Sequence, residues 1–406
     1  MLIGLVLLAT GLVTDTLGVI GLGVLSLVVA WSSSLWSRRG LDGVHYERHL
    51  ARDRAVWGDS IDLCVSVENR KLLPLAWLSA DDHVTAETVV RGTDLVPTDR
   101  PGLAVLRNTW SLAPYQQVIR RFSVDATRRG RHVFGDVRLS VADLFGRGVA
   151  TREETMPETL LVRPRTVVVR HAGTSLMPLG HRAATRALVE DPALFAGIRP
   201  YHPGDPRRRI HQRASARLSR PVSKRFEPST AQTAMIALDI QTQDGPFWLL
   251  HYEEDLVEGL IVAAGSLARQ LLEQGTACGL AINAWNYTLA WEVILAPASG
   301  QAHMARILDL LARASDTPSR PFDSLLAKLP ARLPRGAYLF TLGARDPVDI
   351  VPPARRLRAS GFEVRHIAFG PDASRHAARA RRLGLDAVAG HLGPDWRTSD
   401  ALALVA

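Results

Sequence analysis

The sequence predicts an α+β protein of several domains: an N-terminal transmembrane helical hairpin, an antiparallel β-sandwich and a C-terminal α/β domain. Three observations predict it. Residues 1–36 carry one formal charge, Asp15. Residues 44–165 alternate apolar and polar in short runs separated by turn residues. From residue 230 onward, apolar strand-like runs alternate with stretches of helical spacing, the pattern of a mostly parallel sheet covered on both faces. A chain of 406 residues, 47% apolar and 22% charged, has the composition of a folded protein and the length of two or three domains.

The first segment, 1–40, exceeds the roughly 20 apolar residues that cross a bilayer as a helix. TDT at 14–16 divides it, so a tight hairpin is the first expectation and a single span the second. A signal peptide is the competing reading, but there is no basic n-region and no convincing small-x-small cleavage site before Ser37-Arg38-Arg39-Gly40. Trp31 and Trp36 suit the interface, and Arg38 and Arg39 hold that end on the cytoplasmic side. The expected location is therefore the cell membrane, with membrane lipid contacted through residues 1–36 and the remaining domains cytoplasmic.

In the β domain, 44–165, the run 60–69 puts Ile61, Leu63, Val65 and Val67 on one face and Asp62, Ser66 and Glu68 on the other. Runs 115–126 and 131–146 behave similarly, and no catalytic constellation stands out. Cys64 and Cys278 belong to no CxxC pair and no zinc-spaced cluster, and both read as buried small hydrophobes. A linker, 166–229, follows. The α/β domain, 230–406, opens on TAMIALDI at 233–240, a buried strand presenting Asp239 at its carboxyl end, where such folds gather ligands. Helices are expected near 249–274, 301–314 and 351–359, and further strands at 277–282, 288–297, 336–342 and 362–369. The chain lacks GxxxxGK[ST], HExxH, GxSxG and a well-placed GxGxxG, so the common nucleotide, zincin and hydrolase signatures give no enzyme assignment.

The linker concentrates basic charge in a chain with a formal net charge of +9. Asp205 before Pro206 reads as a helix N-cap with proline at the first helical position, predicting a helix over 206–218. Arg209, Arg213 and Arg217 would share one face of it and repel, so something acidic should answer them. Asp191, Asp205 and Glu227 are candidates.

The arrangement Gly197, Ile198, Arg199, Tyr201, Gly204, Asp205, Arg208 or Arg209, Ile210, His211, Ala214, Ser215, Ala216 and Arg217, followed by KRFEP, resembles the signature of the bacterial family called domain of unknown function 58. The resemblance extends to the hydrophobic hairpin, a sandwich ending in RGRHVFGDVRLSVADLFGRG, and a C-terminal domain similar to the von Willebrand factor type A fold. It implies a membrane-anchored partner of a MoxR-type AAA+ ATPase. Type A domains often hold a divalent cation through D-x-S-x-S, but this chain reads Asp239-Ile240-Gln241-Thr242-Gln243, and the later strand, ending Phe340-Thr341-Leu342-Gly343, supplies no acid. Gln212 stands where an aromatic is frequent.

The leading expectation is a non-enzymatic scaffold that binds a protein partner, with no cofactor. Arg199, Tyr201, Gly204, Asp205, Arg209, His211, Arg213 and Arg217 form its docking face or its internal ion pairs. One alternative is a divalent-cation-dependent adhesion module or metal-dependent enzyme using Asp239. Another is nucleic-acid binding through the arginine face, although that segment has no aromatic ladder of the kind single-strand binders use, and nucleic acid is not the expected partner.

Overall fold

Apolar residues with no charge to hydrate form the helices Leu2–Val13 and Leu17–Arg39. The break between them is Asp15, at a φ of 48°. Glycine brings the two helices together: a Cβ at Gly11 would lie 2.6 Å from the Ile20 amide, and one at Gly23 2.6 Å from the Leu8 amide. Such close backbone approach is how small residues pack helices without a hydrophobic driving force. The stretch Leu17–Trp36 is long and apolar enough to cross a membrane, by length and composition. The computed structural model describes residues 2–142, 149–172, 190–202, 210–228, 233–248, 252–286, 292–393 and 395–406. They divide into two units, residues 1–164 and 165–406.

The first unit continues as two sheets. One has the order Val44–Leu50, Ser60–Asn69, Gln117–Asp125, Val89–Arg91. The other is centred on Gly130–Ala142 and Leu75–Thr85, which pair antiparallel. Alternation puts one face of each strand inward, and both sheets contribute to one core that includes Leu63, Leu78, Phe134 and Leu139. Along Ser60–Asn69 the parity of the pattern turns Cys64 to the outer face, where it is only half-buried, rather than into the core. The core also contains an ion pair. Arg48 Nη1 donates to Asp82 Oδ1 at 2.5 Å, Tyr46 donates to the other carboxylate oxygen, and Arg48 Nη2 reaches the carbonyls of Phe134 and Gly135. With every charge answered, burial is tolerated. Removing one partner of such a pair costs about 3–5 kcal/mol.

The second unit is built on an eight-stranded sheet of order Val168–Ala172, Ala401–Val405, Asp386–His391, Glu363–Phe369, Tyr338–Gly343, Thr233–Leu238, Ala277–Ile282, Val293–Ala298. Counting from Thr233–Leu238, its six central and outer strands run 3-2-1-4-5-6, the doubly wound order. Pairing is parallel except where Val293–Ala298 meets Ala277–Ile282 and where Ala401–Val405 meets Asp386–His391. Helices Phe322–Lys328, Val351–Ala359 and Ala373–Arg382 share a core with Met235 and Ala237. Helix Glu254–Glu273 approaches the sheet closely at Gly259, where a Cβ would lie 2.9 Å from the Phe369 ring.

Several expectations change. Val168–Ala172, placed in the linker by its neighbours' polarity, is a strand of this sheet: it pairs with Ala401–Val405, and the Val167 amide donates to Ser266 Oγ at 2.9 Å. It covers an edge that would otherwise be unpaired. The helix expected from residue 249 begins at Glu254, with Glu254 and Asp255 in its first turn, where the helix dipole favours acids. The helix Ala373–Arg382 and the strands after it were not anticipated from the sequence.

The strand Glu363–Phe369 buries His366 completely. Thr341 Oγ1 lies 3.1 Å from its Nδ1, Nε2 has no partner among the described residues, and burial pushes the imidazole down from 6.5 to about 4. Between those values the unfolded chain binds the proton and the folded one does not, so stability falls as pH drops through this window. We expect His366 to remove roughly 2–3 kcal/mol between pH 7.5 and 4.5. Denaturant midpoints of wild type and His366→Gln across that range check this, the variant showing a flatter profile.

Candidate functional site

The strand order reverses between Thr233–Leu238 and Tyr338–Gly343, and the crevice beyond their carboxyl ends is where doubly wound sheets place ligands. Asp239 follows the first of these strands, and its amide donates to the Leu342 carbonyl at 2.8 Å, which keeps it in register with the second. Three residues after Leu342 comes Arg345. Its Nη2 and Nε donate to Asp239 Oδ2 at 2.6 and 3.1 Å. The side chains of Arg345 and Asp239 are 7% and 1% exposed, so the pair is withdrawn from water. Burial disfavours the guanidinium charge, but Asp239 more than offsets this and holds Arg345 above its ordinary value.

The other carboxylate oxygen is also engaged. Asn283, fully buried at the end of Ala277–Ile282, donates Nδ2 to Asp239 Oδ1 at 2.8 Å, and the Gln241 amide donates to the same oxygen at 3.1 Å. Asn283 Oδ1 accepts from the Ile240 amide at 3.0 Å. The remaining polar side chains fasten loops. Gln241 Nε2 donates to the carbonyls of Gln243 and Gly245, and Thr242 Oγ1 accepts from the Glu253 amide. Asp244 Oδ1 accepts from the Asp346 amide at 3.1 Å, and Arg379 forms an ion pair with Asp346.

These donors do not fit a hard divalent cation, which needs several free oxygens in a fixed geometry. Both Asp239 oxygens are occupied, a permanent positive charge lies against one of them, and Gln241 uses its amide nitrogen within its own loop. Among the described residues no group of three or more His, Cys, Asp or Glu is arranged to hold a metal. The expectation of Asp239 as a metal ligand therefore gives way to Asp239 as the partner of Arg345.

The same edge presents aromatic surface. Trp248 is 69% exposed and meets Phe247 edge-to-face with ring centroids 5.2 Å apart. Tyr252 and Val348 are also exposed. Sequence reasoning missed Arg345, Asn283 and Trp248. The signal for Arg345 was the sequence Gly343-Ala344-Arg345, where only an acid was sought.

The arginine motif lies elsewhere in the second unit. Arg199 belongs to Glu190–Pro200, which pairs antiparallel with Val222–Pro228, and Arg199 stands opposite Ser223. Tyr201 extends this pairing, its amide donating to the Pro221 carbonyl. Gly204, Asp205 and Arg209, with the expected Asp205 cap, lie outside the described residues. The helix is shorter than the expected 206–218: it spans Gln212–Leu218, because Ile210 bridges to Ser223 and His211 is the N-cap, its Nδ1 accepting from the Ala214 amide. Arg213 and Arg217 are exposed on it and form no ion pair among the described residues. Ser215 Oγ fastens the helix to the strand by accepting from the Val222 amide at 3.0 Å. The acids Asp191 and Glu227 have side chains outside the described residues.

Fold and site define a protein whose doubly wound domain has its switch point closed by a buried salt bridge. Residues 197–339, from the start of the arginine motif to the second residue of Tyr338–Gly343, match the family model described as Protein of unknown function DUF58. It is 24% identical over 247 residues to the uncharacterized protein YeaD of Bacillus subtilis (strain 168), covering 58% of this chain and 54% of that relative. The chain thus spans about half the length of the curated relative it matches. Among solved structures, the CARDB domain of a Pyrococcus furiosus protein shows 15% identity and a TM-score of 0.19 over 29% of this chain and 86% of its own. A cohesin module from a Clostridium perfringens glycoside hydrolase shows 11% identity and a TM-score of 0.22 over 30% and 98%. TM-scores of this size assign no fold.

Asp239→Ala leaves the Arg345 guanidinium buried without its carboxylate and is expected to cost about 3–5 kcal/mol in denaturant unfolding of the second unit. Calorimetric titration of Mg²⁺ into wild type is expected to show no saturable binding. A saturable isotherm that disappears in Asp239→Ala would contradict the assignment.

Proposed function

We propose that the chain is a membrane-tethered, non-enzymatic scaffold whose C-terminal domain docks a protein partner, a MoxR-type AAA+ ATPase or its client, through the carboxyl edge of its sheet. The observation that carries this reading is Trp248, a large apolar side chain left 69% exposed on a loop whose base is fixed by half-buried hydrogen bonds. Exposed aromatics on rigid supports are the residues that dominate protein interfaces, because they bury much area with little loss of side-chain freedom. Phe247 meets Trp248 edge-to-face, and Tyr252 and Val348, on the segments that follow Thr233–Leu238 and Tyr338–Gly343, are also exposed. A type A-like reading of the domain is supported by the 3-2-1-4-5-6 strand order with an antiparallel strand at one end, and by Asp239 at the end of the first strand. The two apolar helices with their glycine seam support a hairpin in the membrane, and Arg38 and Arg39 at the end of the second support a cytoplasmic side for the domains that follow.

The test is affinity capture of the tagged full chain from detergent-solubilised membranes, with an AAA+ ATPase identified and quantified by mass spectrometry. Wild type is expected to recover the ATPase. Trp248→Ala, whose thermal unfolding should match wild type because the side chain is exposed, is expected to lose at least about tenfold of it. Equal recovery by both would remove Trp248 from the docking face. Recovery by neither would overturn the choice of partner.

A further inference from the structure

The helix Ala373–Arg382 turns Ala373, His376, Ala377 and Ala380 inward and leaves Arg375, Arg379, Arg381 and Arg382 exposed. Basic residues in the last turn suit the helix dipole and need no ligand. The surroundings of this helix go further. A cleft of about 580 Å³ is lined by Asp346, Arg375, His376, Arg379, Arg382 and Leu383. Of its three guanidiniums, Arg379 is paired with Asp346, and Arg375 meets Asp372 at 3.1 Å with both side chains more than half exposed, a contact worth little. Arg382 has no ion-pair partner among the described residues. His376 is 7% exposed, and its Nδ1 makes no hydrogen bond among the described residues.

We infer that this cleft is an oxyanion site that takes a side-chain carboxylate from an acidic segment of a partner protein. Guanidiniums bind carboxylates through charge-assisted hydrogen bonds, and Arg375 and Arg382 have the capacity to form them. Asp346 in the wall repels a dianionic phosphate more than a singly charged carboxylate. The lining has no Phe, Tyr or Trp on which a nucleobase would stack, its one ring being the buried His376, and a concave cleft does not match a planar lipid surface. The identity of the occupant rests on the docking reading above, while the oxyanion chemistry does not.

The test uses the full chain in detergent micelles and fluorescence anisotropy of a labelled hexaglutamate peptide, with inorganic phosphate as competitor. Wild type is expected to bind the peptide, and Arg375→Ala/Arg382→Ala to bind it at least about tenfold more weakly. Arg332→Ala/Arg335→Ala removes two exposed arginines just before the strand Tyr338–Gly343, outside the cleft, and should leave binding unchanged. No peptide binding, or equal losses in the two double variants, would overturn the site. Displacement of the peptide by phosphate at lower concentration than by glutamate would overturn the carboxylate assignment in favour of phosphate. Trp248→Ala should not alter this titration, so the cleft and the aromatic docking face fail separately.

Discussion

The second unit is organised around one buried ion pair, Arg345 on Asp239, at the point where the strand order of its sheet reverses. A carboxylate in that position is expensive to bury alone, and its cost is offset only because four donors converge on its two oxygens. The four donors come from three pieces of chain: one from Gln241 in the loop after Thr233–Leu238, one from Asn283 at the end of Ala277–Ile282, and two from Arg345 in the loop after Tyr338–Gly343. One side chain therefore fixes three strand ends together. An apolar replacement could fill the same space without defining which loop goes where, so we expect this pair to act on uniqueness of structure more than on net stability.

That constraint connects the core to the surface. The loop that begins at Asp239 is tied again by Gln241 and Thr242, and it crosses to the neighbouring loop through Asp244 and the Asp346 amide. Asp346 in turn carries Arg379 of the helix Ala373–Arg382. A path of hydrogen bonds thus runs from a fully buried carboxylate to the loop bearing Trp248 in one direction and to a basic cleft in the other. Rigid support of this sort limits what an exposed aromatic loses in freedom on binding, which is the condition under which a small patch gives useful affinity.

Much of this was legible in the sequence. The alternation in 60–69 and the apolar run at 233–240 gave the sheets, and Asp239 was identified as the residue at the carboxyl end of a strand. What local pattern does not record is pairing over distance. Arg345 is 106 positions from Asp239, and only the parallel register of Thr233–Leu238 with Tyr338–Gly343 brings them together. Val168–Ala172 reads as linker because its strand partner lies at the far end of the chain. The helix Ala373–Arg382 was hidden by composition: its buried face is alanine and one histidine, too weakly apolar to stand out against its arginines. For the arginine motif, the expected helix was too long because a proline-based start signal at 205–206 outweighed His211, a residue rarely sought as a cap.

The most direct test of the central claim is hydrogen exchange on the full chain and on Arg345→Met, which removes the charge while keeping an unbranched side chain of similar length. If Arg345 on Asp239 anchors the sheet edge, amides in 240–248 and 344–349 lose protection together, while those within Leu339–Leu342 and Met235–Leu238 retain it. Unchanged exchange in both loops would mean that they are held by their own hydrogen bonds, and that the salt bridge is not the constraint on which the docking edge depends.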